Sequence, residues 1–328
     1  MTARNSLGLA GFLVGAALFA LLFTNLEISG SDLVTAFYEM PLTLLVAITA
    51  MTLSVQVIGS LRWRRIMQWL APGEHVMPVR IAITATSWGS FFGQVLPIQL
   101  AMPAARWIAA RNGKSVGSTL YEGLFDFVIL ASGGTAAALV LLAGIDQISG
   151  LLVFCAAILG GCLGLRPSMK VLRGCCSFWV ERNWLGSGRF EPLIRPLDRV
   201  IAAPNGLIAS LALWSILKLG VLSARLLLIA LVLSGPLDAA TVAIGYPIVG
   251  LTLGIPFVPA GLGIADWSWT GILVLAGASA SVAGTTAVLS RVLNFISLLA
   301  IVGCVLPAWS LLERSVRPVE ALTSEPAA

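Results

Sequence analysis

The sequence predicts an all-α polytopic membrane protein, a bundle of transmembrane helices, on three observations. Of its 328 residues, 58% are hydrophobic and 11% are charged, whereas a soluble domain carries about 25% charged residues. Apolar runs of about 20 residues, enough for a helix to cross a hydrocarbon core of about 30 Å, recur along the chain. These runs are continuous and do not alternate with polar residues, which excludes a β-barrel. The composition also excludes a soluble enzyme, a nucleic-acid-binding protein and a secreted disulfide scaffold.

Six of the apolar runs are long enough to be full spans. They are Leu7 to Leu26, Pro41 to Leu61, Gly117 to Ala143, Ser149 to Leu165, Asn205 to Ser234 and Val282 to Leu312. The first run is uncharged and lacks a small-residue cleavage site, so we interpret it as a retained span and not as a signal peptide. No separate soluble domain is visible, and we treat residues 1–328 as a single transmembrane domain.

Two further apolar stretches are interrupted, and they predict broken or re-entrant elements of opposite orientation. The first, Ile81 to Leu96, ends at Pro97 and Pro103. The second, Ala239 to Ala280, is interrupted at Pro256, Pro259, Gly261 and Gly263. Inverted elements of this kind recur in transporters, where irregular backbone lines a cavity between two halves of the protein. The alternative is that each element is a pair of short tilted spans.

The basic residues predict the orientation. Seventeen of the 20 Lys and Arg residues lie on one side of the predicted spans, and the opposite connections, residues 27–40, 144–148 and 235–281, contain none. Since cytoplasmic loops carry the excess of Lys and Arg, both termini are predicted to be cytoplasmic in a bacterial inner membrane. Residues 166–204 then form a basic cytoplasmic loop and residues 313–328 a short cytoplasmic tail. The net charge of +5 thus indicates anionic lipid and not nucleic acid as the partner.

Six charged residues lie at membrane depth, where each costs about 2.5 to 3.5 kcal/mol on insertion scales. They are the cations Lys218, Arg225 and Arg291 and the acids Glu122, Asp126 and Asp266. We expect all six to face inward. Glu122 and Asp126 are four residues apart and share a helix face, as do Lys218 and Arg225 at seven residues. The two faces are therefore expected to pair, either as structural ion pairs or as part of a binding site.

Arg106, just after the first break, is the seventh residue of interest. If the three acids neutralise Lys218, Arg225 and Arg291, then Arg106 has no obvious acidic partner. A guanidinium beside broken backbone suits a phosphate, whereas the alternative is a loop arginine that supports topology. Asp266 also has an alternative role, since an acid in the first turn of a helix stabilises the helix N-terminus.

The sequence predicts no metal site and no cofactor. The single histidine, His75, and the five cysteines leave no cluster with zinc-ligand spacing. No nucleotide-binding loop is present. Any energy input would therefore come from an ion gradient or a lipid gradient.

Several motifs occur in an order that resembles the flippase-like membrane proteins related to the transmembrane region of lysylphosphatidylglycerol synthase. They are LRWRRIMQWL (Leu61 to Leu70), QVLPIQLAMPAARWIAARNGKS (Gln94 to Ser115), YEGLFD (Tyr121 to Asp126), PFVPAGLGIAD (Pro256 to Asp266) and Arg291 in the last span. The resemblance implies a polytopic helical bundle that acts on lipid. The best-understood member of that family moves an aminoacylated phospholipid between leaflets.

The chain departs from the family pattern at three places. The Gly-Gly-acid segment before the arginine reads Leu100 to Pro103, the Glu-Arg pair reads Glu122-Gly123, and Asp266 replaces a Glu. The synthases also carry a soluble aminoacyltransferase domain after the last span, where this sequence has only residues 313–328. We therefore expect a different substrate and no synthase activity.

The leading hypothesis is a lipid transporter or flippase for an anionic, phosphate-bearing lipid, a phospholipid or a lipid-linked intermediate. The predicted headgroup cations are Arg106, Lys218, Arg225 and Arg291, and the predicted counter-ions or proton carriers are Glu122, Asp126 and Asp266. We expect no enzyme activity.

Two alternatives stay open. One is a membrane-embedded lipid-modifying transferase with Glu122 or Asp126 as general base, although no His or suitably placed Ser or Cys accompanies these acids. The other is a non-catalytic scaffold subunit that binds a lipid-synthesis enzyme through its basic loops.

Topology is the first test. We expect cysteine labelling or reporter fusions to place Arg65, Arg111 and Arg182 in the cytoplasm, and Asp146 and Asp238 outside, because of the charge asymmetry. An external Arg182 would contradict the whole arrangement.

Overall fold

The chain folds into a bundle of helices in a computed structural model, which describes residues 3–70, 72, 77–111, 114–181, 198, 201–254, 258 and 261–309. The helices are α1 Ala3–Asn25, α2 Gly30–Tyr38, α3 Leu42–Leu70, α4 Val79–Phe92, α5 Ile98–Ala110, α6 Lys114–Ala143, α7 Gln147–Leu163, α8 Leu165–Glu181, α9 Asn205–Ser234, α10 Ala239–Leu253, α11 Ile264–Leu275 and α12 Ala280–Ala300. The described residues contain no strand, and the predicted all-α class is confirmed.

Four helices of the described chain are long and apolar enough to cross a membrane by themselves: α3, α6, α9, and α12 with its continuation to Trp309. A π-helical turn at Ile301–Val305 lies within that continuation. Helices of 29 or 30 residues rise about 45 Å, more than a hydrocarbon core requires. They form the framework on which the remaining elements pack.

Two bent helix pairs bring the number of possible spans to six. α1 and α2 meet at 86°, and α7 and the first part of α8 meet at 54°. The predicted spans Leu7 to Leu26 and Ser149 to Leu165 correspond to α1 and α7. The predicted basic loop, residues 166–204, contains α8, but residues 182–197 and 199–200 and the predicted tail, 313–328, lie outside the described residues.

The first interrupted element is a helical hairpin formed by α4 and α5. Their 14 and 13 residues rise about 20 Å each, too little to cross the membrane. The two helices pack closely, since a Cβ on Gly89 of α4 would lie 3.1 Å from the Cα of Met102 of α5. α5 begins directly after Pro97, but Pro103 lies inside this helix, which continues to Ala110. The predicted break is therefore confined to residues 93–97 and does not include Pro103.

The second interrupted element is also a hairpin, formed by α10 and α11 with 15 and 12 residues. The backbone N–H of Asp238 before α10 donates to the carbonyl of Ala276 after α11 at 3.0 Å, which joins the open ends of the hairpin. At its tip, Gly261 and Gly263 have φ values of +63° and +76°. Glycine is the residue that adopts this left-handed backbone without steric cost. The predicted break residues Pro256 and Pro259 lie outside the described residues.

The two hairpins point towards each other from opposite ends of the bundle, as predicted. The first opens at the end where α3 finishes and α6 and α9 begin, which we call the basic end. The second opens at the other end, where Ser234 of α9 bonds to Thr286 of α12 at 2.7 Å. The tips meet in between, because the Gln99 side chain at the start of α5 donates to the carbonyl of Gly254 at 2.9 Å.

Apolar side chains of the long helices and of the second hairpin form the main core. It includes Ile48, Phe125, Leu211, Trp269 and Leu293, all nearly inaccessible to solvent. Helix association in lipid depends on such van der Waals packing and on small residues that let backbones approach. The close approach of α1 to the second tip is one example, since Gly15 of α1 lies against the carbonyl of Leu262.

Gly263 offers a test of this packing. A Cβ there would lie 2.6 Å from the carbonyl oxygen of Gly15 and 2.9 Å from the amide nitrogen of Phe19. An alanine would also have to adopt the φ of +76° that side chains disfavour. We expect Gly263→Ala to lower the free energy of unfolding by about 2 kcal/mol or more, measured as thermal unfolding in detergent. The control is Gly271→Ala on α11, where nothing lies within 4 Å. Equal stability of the two variants would contradict the described contact between α1 and the tip.

Candidate functional site

Five charged side chains of alternating sign run from the first hairpin across three long helices, and we call them the charge chain. Arg106 of α5 pairs with Glu122 of α6, and the other carboxylate oxygen of Glu122 lies 2.9 Å from Arg62 of α3. Arg62 also contacts Asp126 of α6 at 2.6 Å, and Asp126 contacts Lys218 of α9 at 3.0 Å. Each inner member thus lies between two charges of opposite sign.

The charge chain is buried at one end and partly accessible at the other. The side chains of Arg62 and Arg106 are 1% and 2% exposed, whereas Lys218 is 26% exposed. The guanidinium carbon of Arg106 lies 4.8 Å from the ring centre of Trp63, and a cation over an aromatic face is stabilised there. The Trp63 indole in turn donates to Ser118 at 2.8 Å. The charge chain contains three cations and two acids, so it carries one excess positive charge.

The structure confirms one predicted pairing and corrects two others. Lys218 does meet Asp126, as the helix faces predicted. The interpretation that left Arg106 without an acidic partner is wrong, because Glu122 binds it. Arg225 does not join these acids; its guanidinium donates to Thr52 and Asn294 at 3.1 and 2.8 Å. The spacing of residues along a helix predicted which charged residues share a helix face. The choice of partner, however, depends on how helices distant in sequence pack.

Arg62 is the charged residue that the sequence interpretation missed. The predicted span ended at Leu61, which assigned Arg62 to a cytoplasmic loop, but α3 continues to Leu70. A signal was present in the sequence, since Ile58, Arg62 and Ile66 follow at intervals of four residues. All three are buried on one face of α3, at 6%, 1% and 0% exposure. The helical period thus continued through the basic motif.

A cavity of about 240 Å³ lies where the two hairpin tips meet. Gly93, Gln94 and Ile98 of the first tip and Leu253 and Asp266 of the second line it, together with residues of the long helices α3, α9 and α12. Because the tips approach from opposite ends, the cavity lies deep in the bundle. Arg225 is seven residues beyond Lys218 on α9, about 10.5 Å further from the basic end than the charge chain.

The described lining residues of this cavity include two cations and one acid. Asp266 accepts two hydrogen bonds from Arg291, at 3.0 Å from Nε and 2.8 Å from Nη2, in a bidentate pair. The same carboxylate accepts the backbone N–H of Gly263 at 2.9 Å, so both roles considered for Asp266, counter-ion and helix cap, occur together. Arg225 has only neutral described partners. Of the four predicted headgroup cations, Arg225 and Arg291 line the cavity, and Arg106 and Lys218 belong to the charge chain.

Neutral polar side chains complete the cavity wall and connect α3, the first hairpin and α12. Asn294 of α12 donates to Gln94 of the first tip at 3.2 Å. Ser90 of α4 donates to Gln56 of α3 at 2.8 Å. These amides were not among the predicted site residues. A polar residue in a long apolar run, such as Gln56 or Asn294, was the available signal.

Metal ligands do not cluster in the described part of the chain, where no three His, Cys, Asp or Glu side chains come together. His75 lies outside the described residues. The carboxylates Glu122, Asp126 and Asp266 all contact Arg or Lys side chains instead. Such contacts suit charge neutralisation, and the absence of a metal and of a cofactor stays a prediction.

Comparison with known protein families gives a match over most of the chain. The family described as "Lysylphosphatidylglycerol synthase TM region" matches residues 8–303, which include both hairpins, the charge chain and the cavity. No curated protein sequence and no solved structure matches the chain.

Paired substitutions test the charge chain. We expect Asp126→Ala and Lys218→Ala together to lower the free energy of unfolding by less than the sum of the single changes, with a coupling of about 0.5–3 kcal/mol. Asp126→Ala with Arg225→Ala is the matched control, because these side chains have separate partners, and here the effects should add. Thermal unfolding in detergent provides the measurement, and additivity in the first pair would show that Lys218 and Asp126 do not interact.

Proposed function

The chain belongs to the lysylphosphatidylglycerol synthase transmembrane-region family, and we propose that it transports an anionic, phosphate-bearing lipid across a bacterial inner membrane. The family ties this multi-pass membrane protein to lipid biosynthesis or handling. The charge asymmetry of the sequence supports cytoplasmic termini. The lipid class and the transport activity are inferred from the cavity.

Arg225 carries this proposal. It is a cation in the interior of a transmembrane bundle, it lines the cavity, and its described partners Thr52 and Asn294 are neutral. Burying a charge without an opposite charge costs several kcal/mol, because neutral hydrogen bonds replace only part of its hydration. An anion that enters the cavity offsets this cost. Phosphate is the anionic group that all phospholipids carry, and a guanidinium binds it with two parallel hydrogen bonds.

The position of the cavity suits a headgroup that crosses while its acyl chains stay in lipid. Irregular backbone at membrane depth is tolerated where it lines a cavity, and transporters use such sites between inverted elements. The contact from Gln99 to Gly254 joins the two tips. The free energy for net movement comes from a lipid gradient or an ion gradient, since the chain has no nucleotide-binding loop.

We also propose that the protein is not an enzyme. A general base needs a carboxylate oxygen that is free to accept a proton from the substrate. In Glu122 and Asp126, each carboxylate oxygen contacts an Arg or Lys side chain. This arrangement favours counter-ions that hold α3, α5, α6 and α9 together over the general base of a lipid-modifying transferase. No contact of the described residues specifically favours a scaffold role.

Reconstitution tests the proposal. We expect the purified protein in vesicles to move phosphatidylglycerol with a fluorescent acyl chain between leaflets, measured by dithionite quenching. Arg225→Gln should reduce the rate at least about tenfold, because a charged hydrogen bond contributes about 1.5–3 kcal/mol. Arg65→Gln is the control, since Arg65 of α3 is exposed and outside the cavity. Full activity of Arg225→Gln, or equal losses in both variants, would contradict a headgroup site at Arg225.

A further inference from the structure

In the cavity wall, the amide and carboxylate acceptors are hydrogen-bonded, whereas two of the buried donors are not. Each amide or carboxylate side chain in the described lining already accepts a hydrogen bond from another wall residue. Gln56 accepts from Ser90, Gln94 from Asn294, and Asn294 from Arg225, at 2.8 to 3.2 Å. Asp266 accepts from Arg291 and from the backbone of Gly263. The strong acceptors of the wall are therefore engaged within the protein.

Two buried donors of the same wall are not engaged. The indole Nε1 of Trp269 and the Nε of Arg225 have no hydrogen-bond partner among the described residues, and both side chains line the cavity. Trp269 is 2% exposed, so water at an open surface does not satisfy its N–H. A buried donor without a partner costs about 1–3 kcal/mol. Indole and guanidinium nitrogens only donate, and their natural partner is an acceptor.

From this arrangement we infer that the cavity selects a phosphate headgroup without an ammonium group, and that Trp269 is a further donor to that phosphate beside Arg225. This inference rests on the proposed function and adds the chemical class of the headgroup. Both nitrogens have almost no accessible surface, so binding requires that the two side chains turn these donors towards the phosphate.

An ammonium group fits this wall poorly. It has three donors and no acceptor, whereas Asp266, the single acid among the described lining residues, is held by Arg291. Arg225 and Arg291 against Asp266 also leave the wall with one excess positive charge, which repels a cation. Aminoacylated and ethanolamine headgroups are therefore disfavoured relative to glycerol or bare phosphate headgroups.

Transport by the full-length protein in vesicles tests this selectivity. Acyl-labelled phosphatidylglycerol and phosphatidylethanolamine are compared in separate vesicle preparations of the same protein. We expect phosphatidylglycerol to move at least about tenfold faster. Equal rates would overturn the selectivity and leave lipid transport intact, whereas movement of neither lipid would contradict the proposed function. Binding of inorganic phosphate without movement of either lipid would support the phosphate site and overturn a lipid as the source of the phosphate.

Trp269→Phe identifies the donor, because it keeps an aromatic ring and removes the N–H. Because both lipids carry the phosphate, we expect both transport rates to fall and the binding of inorganic phosphate to weaken about tenfold, while the unfolding temperature without phosphate stays unchanged, which a purely structural role would not allow. Trp267→Phe is the matched control: its indole lies two residues away on α11, donates to the carbonyl of Leu18 at 2.9 Å and does not line the cavity. Unchanged phosphate binding in Trp269→Phe, or the same loss of phosphate binding in both variants, would overturn the role of Trp269.

Discussion

The loss of hydration by charges inside a membrane is the constraint on which this structure depends, because each buried charge must be compensated by opposite charge or by hydrogen bonds. The charge chain meets it by alternation: Glu122 lies between Arg106 and Arg62, and Asp126 lies between Arg62 and Lys218. The charge chain also joins four helices, α3, α5, α6 and α9. Arg106 attaches the first hairpin to this framework, so the position of the hairpin follows from electrostatics as well as from apolar packing.

The cavity wall treats its charges differently. Arg291 of α12 is neutralised by Asp266 in a bidentate pair. Arg225 of α9 is instead held by the hydroxyl of Thr52 and the amide of Asn294. The same bundle thus contains cations that are neutralised by acids and a cavity cation, Arg225, whose described partners are neutral. That contrast separates a structural role from a binding role better than burial does, since the most deeply buried cations, Arg62 and Arg106, are the paired ones.

The second hairpin shows how backbone geometry reaches the site. Gly263 adopts a left-handed φ at the tip, which allows α11 to begin at Ile264 and places Asp266 in its first turn. The carboxylate caps that turn and holds Arg291 from α12. Asp266 is thereby unavailable to Arg225. The tight turn at Gly263 thus positions the acid that neutralises Arg291, and the positive charge of Arg225 stays in excess in the cavity.

The sequence by itself determined the helical class, the inverted placement of the two interrupted elements, and the inward location of Asp126 and Lys218. These features follow from local length, composition and spacing, on which a membrane imposes strict limits. Only the tertiary structure decided that Arg62 belongs to the buried network, that Glu122 binds Arg106, and that Arg225 has neutral described partners. Pairing depends on which helices pack together and at what depth, and helices distant in sequence carry no local signal of their neighbours.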